Sequence, residues 1–380
     1  MNITGDWLDH PGTQALMQVL ESAGYQALFV GGCVRNALLH EPVSDVDIST
    51  DATPETVSAI AERADFKAVP TGIDHGTVTV VAEGKPHEVT TFRRDVETDG
   101  RRAVVAFSTR IEEDAERRDF TMNALYADRH GTVIDPLKGL PDLQARRVRF
   151  VGDAETRIRE DYLRILRFFR FHAAYGDPEQ GLDPDGLAAC AALADGLDGI
   201  SRERITAELR KLLTAGDPAP AVAAMSHAGV LARVLPGSDP RALAPLVHLD
   251  ADQPPRWLRR LVVLGGDTDQ LRLSKSELRD LTALRAAIGS TDTPAALGWR
   301  LGEARGTDAI LAREATFGTH PPTDWKAEIH RGATARFPVS AADLMPELQG
   351  EALGAKLKSL ESRWLSANLR PSKADLLKGA

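Results

Sequence analysis

The spacing of apolar residues divides the chain into an N-terminal part that predicts strands and a longer part that predicts helices. Strand-like runs occur up to about residue 150: YQALFV, SDVDIST, GTVTVV, HEVTTF and GTVIDP. Helix-like segments, ALLHEP and TPETVSAIAERA, lie between some of them. From Thr156 onward, helical spacing continues almost without interruption between short segments rich in proline and glycine. The pattern predicts an α/β domain followed by an all-α remainder.

A glycine turn joins the first of these strands to a helix in LFVGGCVRNALL. Gly31 and Gly32 permit a tight turn with close approach of the backbone, and the first N–H groups of the helix point at whatever lies over the turn. Arg35 adds donors that suit phosphate oxygens. The segment therefore predicts an anion site, although a glycine pair before a helix is by itself more often ordinary turn chemistry.

Two aspartates with one residue between them follow in SDVDIST. On a strand, Asp45 and Asp47 would share one face, while Val46 and Ile48 would mark the buried face. Two adjacent carboxylates repel each other, and a Mg²⁺ ion that also binds nucleotide phosphates would relieve the repulsion. Glu88, across the predicted hairpin GTVTVVAEGKPHEVTTF, could be a third carboxylate of this site or a plain charge at a strand edge.

Composition and charge exclude several classes of protein. Cys33 and Cys190 are the only cysteines, too few for a disulfide framework or a cysteine zinc site, so both are interpreted as small buried hydrophobes. The sequence has no apolar window of about 18 residues and no signal peptide, which predicts a cytoplasmic protein without a membrane partner. The net charge of −9 argues mildly against nucleic acid. The arginine-rich stretch 146–170 and the basic stretch 356–378 are local features that argue for a nucleic-acid partner.

The charged segment from residue 93 to 118 is too long for a routine connection and is interpreted as a mobile or functional loop. Farther along, TRIREDYLRILRFFRF predicts one helix with an apolar stripe of Ile158, Tyr162, Ile165 and Phe169. On such a helix, Asp161 and Arg164 would lie about 60° apart beside the stripe.

The motifs together resemble one enzyme family. GGCVRNALL and DVDI are followed by EVTTFR, RRDFTMNAL, DPLKGLPDL, EDYLRILR and ISRERITAELRKLL. Their order and spacing resemble the DNA polymerase β nucleotidyltransferase superfamily, and within it the class II CCA-adding tRNA nucleotidyltransferases and bacterial poly(A) polymerases. The resemblance covers roughly residues 25–215. Two departures are Asn36, where the family has Asp after G-G-x-V-R, and Lys138, where the family has the first glycine of a pair.

The resemblance implies a fold and a set of domains. We expect an α/β nucleotidyltransferase head with a polymerase β-like mixed sheet at residues 1–150, followed by an all-α neck, body and tail. The neck would span residues 151–215 and select the nucleotide. The body would span 216–310, and the RNA-binding tail 311–380.

The resemblance also implies site residues. Asp45 and Asp47 would bind two Mg²⁺ ions, with Glu88 as a third catalytic carboxylate. The implied nucleotide-binding residues are Gly31, Gly32, Arg35, Arg118, Asp119, Asn123, Asp161, Arg164, Arg167 and Arg170, of which Asp161 and Arg164 would read the base. For the tRNA body, the basic tail offers Lys356, Lys358, Arg363, Arg370, Lys373 and Lys378. Taken alone, the RRDF motif could equally be a helix cap with flanking charge. The Asp161–Arg164 spacing, taken alone, could equally be a surface ion pair.

The expected reaction is template-independent addition of C, C and A to the 3′ end of tRNA from CTP and ATP, with release of pyrophosphate and no obligate protein partner. A poly(A) polymerase is the first alternative, but it would be expected to carry a more strongly basic C-terminal extension. An enzyme that adds only CC or only A shares these motifs. A glycosyltransferase with D-x-D would not need GGCVRN or EDYLR, and a catalytically inactive RNA-binding module would not need both aspartates.

Overall fold

The structure is a computed structural model that describes residues 1–72, 76–99 and 102–378. The chain divides into two compact units, Met1–Ile200 with Ala228–Arg233 and Ser201–His227 with Val234–Ala380. The four domain boundaries expected from the sequence are finer than this division and stay predictions. The fold class is confirmed: a mixed sheet with helices comes first, and the remainder of the chain is helical.

A mixed sheet forms the centre of the first unit. In the described residues it has seven strands in the order β3-β4-β5-β2-β1-β8-β9. Only β2 and β5 pair in parallel; the other neighbours are antiparallel. The strands are β1 (Ala27–Val30), β2 (Asp47–Thr50), β3 (Lys67–Gly72), β4 (Thr77–Ala82), β5 (Lys85–Thr91), β6 (Arg93–Asp99), β7 (Arg102–Phe107), β8 (Tyr126–Ala127) and β9 (Val133–Ile134), of which β6 and β7 form a separate ribbon.

Alternating apolar residues along the strands bury one face of the sheet in the core. Val78 and Val80 of β4 are fully buried, as the period of two in GTVTVV predicts. Helix α1 (Pro11–Ser22) buries Leu16, Met17 and Leu20. Other helices of this unit are α2 (Gly32–Leu38), α3 (Pro54–Arg63), α4 (Ile111–Glu116), α5 (Leu140–Gln144), α6 (Ala154–Glu160), α7 (Leu163–Tyr175) and α8 (Pro184–Ala192). Most of α11 (Val230–Val234) also belongs to this unit.

The charged segment that the sequence suggested as a loop is regular in the structure. Strands β6 and β7 pair with each other from Arg93 opposite Phe107 to Asp99 opposite Arg102, and α4 follows. The interpretation as an irregular loop is therefore wrong for the described residues. The run RAVVAF has high strand propensity, which outweighed its charged surroundings. Residues 100 and 101 lie outside the described residues.

An aromatic cluster connects α7 to the bridged residues Phe120 and Phe150. The ring of Phe120 lies 5.0 Å from Phe150 and 4.9 Å from Phe171, and Phe150 stacks on Phe168 at 5.4 Å. Both cysteines are buried, as predicted. Burial, followed by the nearby charge of Asp47, raises the pKa of Cys33 to about 11, so this thiol is not reactive at neutral pH.

The second unit is helical throughout. Its helices are α9 (Arg202–Thr214), α10 (Ala219–His227), α12 (Leu243–Leu249), α13 (Trp257–Leu264), α14 (Lys275–Ile288), α15 (Pro294–Phe317), α16 (Trp325–Thr334), α17 (Gly350–Ser366) and α18 (Lys373–Leu377). Buried Arg259 pairs with Asp250 at 2.8 Å and with Asp308 at 3.0 Å. A separate apolar cluster surrounds Trp364, against which Trp299 and Phe337 pack. No described helix is long and apolar enough to cross a membrane.

Candidate nucleotidyltransferase site

The glycine turn lies between β1 and α2, with two guanidinium groups beside it. Gly31 has a φ of +68°, which favours glycine, and its N–H donates to the carbonyl of Leu125 at 3.1 Å. A Cβ atom on Gly31 would lie 3.4 Å from Nη1 of Arg118. One on Gly32 would lie 3.8 Å from Nη2 of Arg35. The turn therefore brings bare backbone and two cations together, as a phosphate site requires.

The paired aspartates are arranged differently from the prediction. Strand β2 begins at Asp47, whereas Asp45 precedes it and is exposed, so the two do not share one strand. Two features end the pairing. Strand β1 turns away at Gly31, and the parallel register that places Asp47 opposite Glu88 would place Asp45 opposite Pro86, which has no N–H to donate. Val46 and Ile48 are buried, as predicted.

Three carboxylates still crowd this edge of the sheet. Burial, then the charge of Glu88, and to a smaller extent that of Asp45, raise the pKa of Asp47 above its ordinary value. Such crowding is relieved by a divalent cation, and oxygen ligands are what Mg²⁺ prefers. In the described part of the chain, no group of three or more His, Cys, Asp and Glu side chains is arranged to hold a metal ion. The residues therefore fit a cation that takes its remaining ligands from phosphates or water.

Hydrogen bonds fix the side chain of Arg118, the second arginine of the RRDF segment. The guanidinium of Arg118 donates to Asp114 at 2.9 Å, to the hydroxyl of Tyr126 at 3.1 Å and to that of Ser49 at 3.4 Å. Burial alone would lower the pKa of Arg118, but Tyr126 and Asp114 outweigh it and raise that pKa. Arg118 is therefore a permanent cation between β2 and the glycine turn.

Asp119 and Asn123 connect this segment to α7. Asp119 accepts from Nε of Arg167 at 2.8 Å and from the amide of Asn123 at 2.8 Å. Burial opposes its charge, yet Arg167 and Asn123 hold its pKa below the ordinary value. The oxygen of Asn123 in turn accepts from Arg35 at 2.5 Å. The structure thus brings Arg35, Asp119, Asn123 and Arg167 into one network, as residues of a single site would be.

The predicted helix through TRIREDYLRILRFFRF is interrupted at Asp161. Helix α6 ends at Glu160, Asp161 is extended with φ −156° and ψ 102°, and its carboxylate accepts from the N–H of Leu163 at 3.1 Å. An aspartate readily makes this bond to the second residue ahead, which favours a new helix start over continuation. The prediction that Asp161 and Arg164 lie about 60° apart on one helix is therefore wrong.

Glu160 holds the guanidinium of Arg164 in this structure. The pair is a direct ion contact, and Arg164 also donates to the carbonyl of Arg157 at 2.7 Å. Arg157 binds the same carboxylate at 2.6 Å. Ile158, Ile165 and Phe169 of the predicted apolar stripe are fully buried, on two helices instead of one, whereas Tyr162 between the helices is half-buried.

Two family models match parts of the chain, and a relative matches nearly all of it. Residues 27–149 match the family described as "Poly A polymerase head domain", and residues 181–241 match "Probable RNA and SrmB- binding site of polymerase A". The mitochondrial CCA tRNA nucleotidyltransferase 1 of Danio rerio is 32% identical over 391 residues, which cover 96% of this chain and 89% of the relative. The chain belongs to the CCA-adding tRNA nucleotidyltransferase family.

Further similar proteins support the same family assignment. The CCA-adding enzyme of Geobacillus thermodenitrificans is 45% identical over 231 residues, 60% of this chain and 55% of that enzyme. The Bacillus stearothermophilus CCA-adding enzyme in complex with CTP superposes with a TM-score of 0.73 at 32% identity and covers 94% of this chain and 92% of that one. The Thermotoga maritima CCA-adding enzyme complexed with tRNA, at 17% identity and a TM-score of 0.69, supports the fold alone.

Sequence analysis missed three residues that hold the arginines of this family member. Asp114 fixes Arg118, and Phe171 and Tyr175 lie against Arg35, at 5.2 and 4.0 Å from their ring centroids. Phe171 and Tyr175 are four residues apart on α7, a spacing that places them on one helix face. This spacing of Phe171 and Tyr175 is visible in the sequence, but only the apolar stripe through Phe169 was recognised on this helix.

The basic residues of the tail lie in the second unit, on and around α17 and α18. Lys373 pairs with Asp343 at 2.5 Å, and Arg363 donates to the carbonyl of Asp375 at 2.9 Å. These two bases thus have structural partners within their own unit. Lys358, Arg370 and Lys378 are exposed, and Lys356 is half-buried, as bases available to an RNA backbone should be.

Proposed function

We propose that this protein adds C, C and A to the 3′ end of tRNA, using CTP and ATP and releasing pyrophosphate. The observation that carries the proposal is the position of Asp47 beside Glu88, on the strand that borders the glycine turn with Arg35 and Arg118 beside it. Crowded carboxylates next to a cationic phosphate cradle are what transfer of a nucleotidyl group needs. Membership of the family makes tRNA the expected acceptor.

The residues of the chain would bind and orient the two reactants. Arg118, Arg35 and the bare backbone at Gly31 and Gly32 would hold the triphosphate, so that the α-phosphorus faces the carboxylate edge. Asp119 and Asn123 would lie near the ribose, and Arg167 and Arg170 would add phosphate contacts. Because Asp114 and Tyr126 fix Arg118 before any ligand binds, the cradle needs little reorganisation.

Asp45 and Asp47 are the residues that would hold two Mg²⁺ ions, with Glu88 beside them. Bound Mg²⁺ would activate the 3′-hydroxyl and neutralise charge on the pyrophosphate. Asp47 would serve as the fixed ligand because its strand pairing opposite Glu88 of β5 orients it. Exposed Asp45, outside the strand, would adjust its position when the ions and the triphosphate arrive.

Asp161 and Arg164 would select the base. A guanidinium that donates to a ring nitrogen and a carboxylate that accepts from an amino group fit both cytosine and adenine, whereas uracil and guanine present a ring N–H beside a carbonyl. Arg164 is bound to Glu160 in this structure. Base reading would therefore require Arg164 to turn from Glu160 towards the nucleotide, while Asp161 gives up its bond to the N–H of Leu163.

The tail bases Lys356, Lys358, Arg370 and Lys378 would contact the tRNA backbone, with Arg363 and Lys373 shaping that surface. A poly(A) polymerase remains the principal alternative, since a matched family carries that description. The net charge of −9 favours a structured acceptor over long unstructured RNA. The sequence predicts a cytoplasmic protein, and family members include mitochondrial forms.

The test uses tRNA transcripts that lack CCA, CA or A, each incubated with labelled CTP or ATP, and reads product length on a gel. We expect two C residues on the first transcript, one C on the second, and a single A on the third. Asp47→Asn should give no product above background, because it removes a metal-binding charge without changing size. Asp51→Asn is the matched control at the other end of β2. Normal turnover by Asp47→Asn would contradict the proposal.

A further inference from the structure

Arg35 is a buried cation whose hydrogen-bond partners are all neutral. Its side chain is 7% exposed. It donates to the oxygen of Asn36 at 3.1 and 2.8 Å, to the oxygen of Asn123 at 2.5 Å and to the hydroxyl of Tyr175 at 2.8 Å. Among the described residues no carboxylate forms an ion pair with it. A buried charge without a counterion is costly to the folded chain, so its retention here requires a reason.

Aromatic faces replace the missing counterion. The Arg35 guanidinium lies 4.0 Å from the ring centroid of Tyr175, and Phe171 has Arg35, Arg167 and Arg170 within 5.3 Å of its ring. The electron-rich face of a ring attracts cations, so three mutually repelling guanidinium groups can share it. Asp119 is bound to Arg167. Burial, and then the positive charge of Arg170, lower the pKa of Arg35 from its ordinary value, and the charge of Asp119, connected to Arg35 only through Asn123, offsets part of this.

Asn36 uses both ends of its amide. The oxygen accepts from Arg35, and the nitrogen donates to the carbonyl of Pro42 at 2.8 Å, in the segment that leads to Asp45. An aspartate, which the family usually has at this position, could make the first contact but has no hydrogen to donate to the second. It would also neutralise Arg35. The amide therefore orients the guanidinium and leaves its charge in place.

We propose that Asn36 is a positioning residue that holds Arg35 without neutralising it, so that the arginines around Phe171 and Tyr175 keep one additional positive charge for the triphosphate of the incoming nucleotide. This inference rests on the proposed function. It explains why a buried cation is surrounded by amides and rings: the counterion is the substrate. The affinity for the triphosphate would then be higher than it would be beside an aspartate. It would also increase more steeply as the salt concentration falls.

The experiment compares Asn36→Asp with Asn36→Ala. Both variants lose the bond to Pro42, and only the first adds a negative charge. Gln144→Glu adds the same charge at an exposed position and serves as the control. Binding of inorganic tripolyphosphate without Mg²⁺ is measured by titration calorimetry at low and high salt. We expect Asn36→Asp to bind about tenfold more weakly than Asn36→Ala at low salt, a gap that narrows at high salt. Gln144→Glu should match the wild type.

Steady-state kinetics separate this role from a purely structural one. Asn36→Asp should raise KM for both CTP and ATP by about tenfold while kcat changes by less than about threefold. Tripolyphosphate binding by Asn36→Asp that equals or exceeds that of Asn36→Ala would overturn the inference, as would absence of binding by the wild type. If the wild type adds neither C nor A to tRNA, the proposed function itself fails. Active wild type with equal binding by the two variants refutes this inference alone.

Discussion

At the scale of the residue, the two departures from the family pattern have different consequences. Asn36 would change the charge of the proposed nucleotide site, whereas Lys138 affects the backbone. Lys138 has a φ of +55°, in the left-handed region where a lysine is strained. Its neighbour must stay glycine, because a Cβ on Gly139 would lie 2.4 Å from the carbonyl oxygen of Thr121. The usual glycine pair thus reflects two separate backbone requirements.

Lys138→Gly should therefore stabilise the protein. Relief of the left-handed strain is worth about 1–2 kcal/mol, offset by about 0.5–1 kcal/mol of added chain entropy in the unfolded state. We expect a net gain of up to about 1.5 kcal/mol, measured as a higher denaturant midpoint of the first unfolding transition. Lys67→Gly, in strand β3, is the matched control and should destabilise. A loss of stability at both positions would contradict the backbone explanation.

Asp161→Ala tests the reading of the base. The variant should slow the use of CTP and ATP and narrow their advantage over UTP and GTP, since each mismatched polar pair costs about 1–3 kcal/mol in a closed site. The measurement is kcat/KM for all four triphosphates on matched tRNA ends. Asp153→Ala removes another aspartate at a helix start, whose carboxylate accepts from Thr156, and should leave the preference unchanged. An undiminished preference in Asp161→Ala would place base reading elsewhere.

At the scale of the element, strands β1, β2, β4, β5 and β9 and the helical remainder follow from the sequence, whereas β3, β6, β7 and β8 do not, and the errors have two causes. Alternation predicts β4, and spaced apolar residues predict α7. The break at Asp161 and the late start of β2 at Asp47 depend on partners that a local pattern does not contain: the hydrogen bond to Leu163, and the register opposite Pro86. The ribbon β6–β7 was missed because charge was given more weight than strand propensity.

The ribbon itself leads to a prediction about nucleotide order. In the described residues β6 and β7 pair only with each other, and a two-stranded ribbon alone is marginally stable. Motion of this ribbon would allow the site to adapt from CTP to ATP. Removing residues 97–104 in register should leave C addition within about twofold and slow A addition about tenfold or more. Product length on tRNA ending in C and in CC gives both rates.

The deletion keeps α4, whose Asp114 fixes Arg118, so a loss of both activities cannot be assigned to that contact. Thermal unfolding of the shortened protein serves as the control for folding. Equal loss of C and A addition by a folded variant would contradict a switching role for the ribbon.

At the scale of the whole molecule, one unit contains the entire proposed nucleotide site, and the other carries the basic tail. The sequence predicted this assignment of chemistry to the N-terminal part, because the motifs up to residue 170 contain all the proposed nucleotide-binding residues. It could not predict how Phe171 and Tyr175 stabilise the arginines, since that depends on the packing of α7. The family match spans nearly the full chain, which extends the fold assignment beyond the motifs.

The most direct test supplies the wild-type protein with a tRNA transcript that lacks CCA and with all four triphosphates at equal concentration, and sequences the 3′ ends of the products. We predict that the completed ends read C, C, A and that extension then stops, because the protein side chains choose two bases out of four and the order is set within the site. Tails of repeated A, or ends containing U or G at frequencies near those of C and A, would contradict CCA addition.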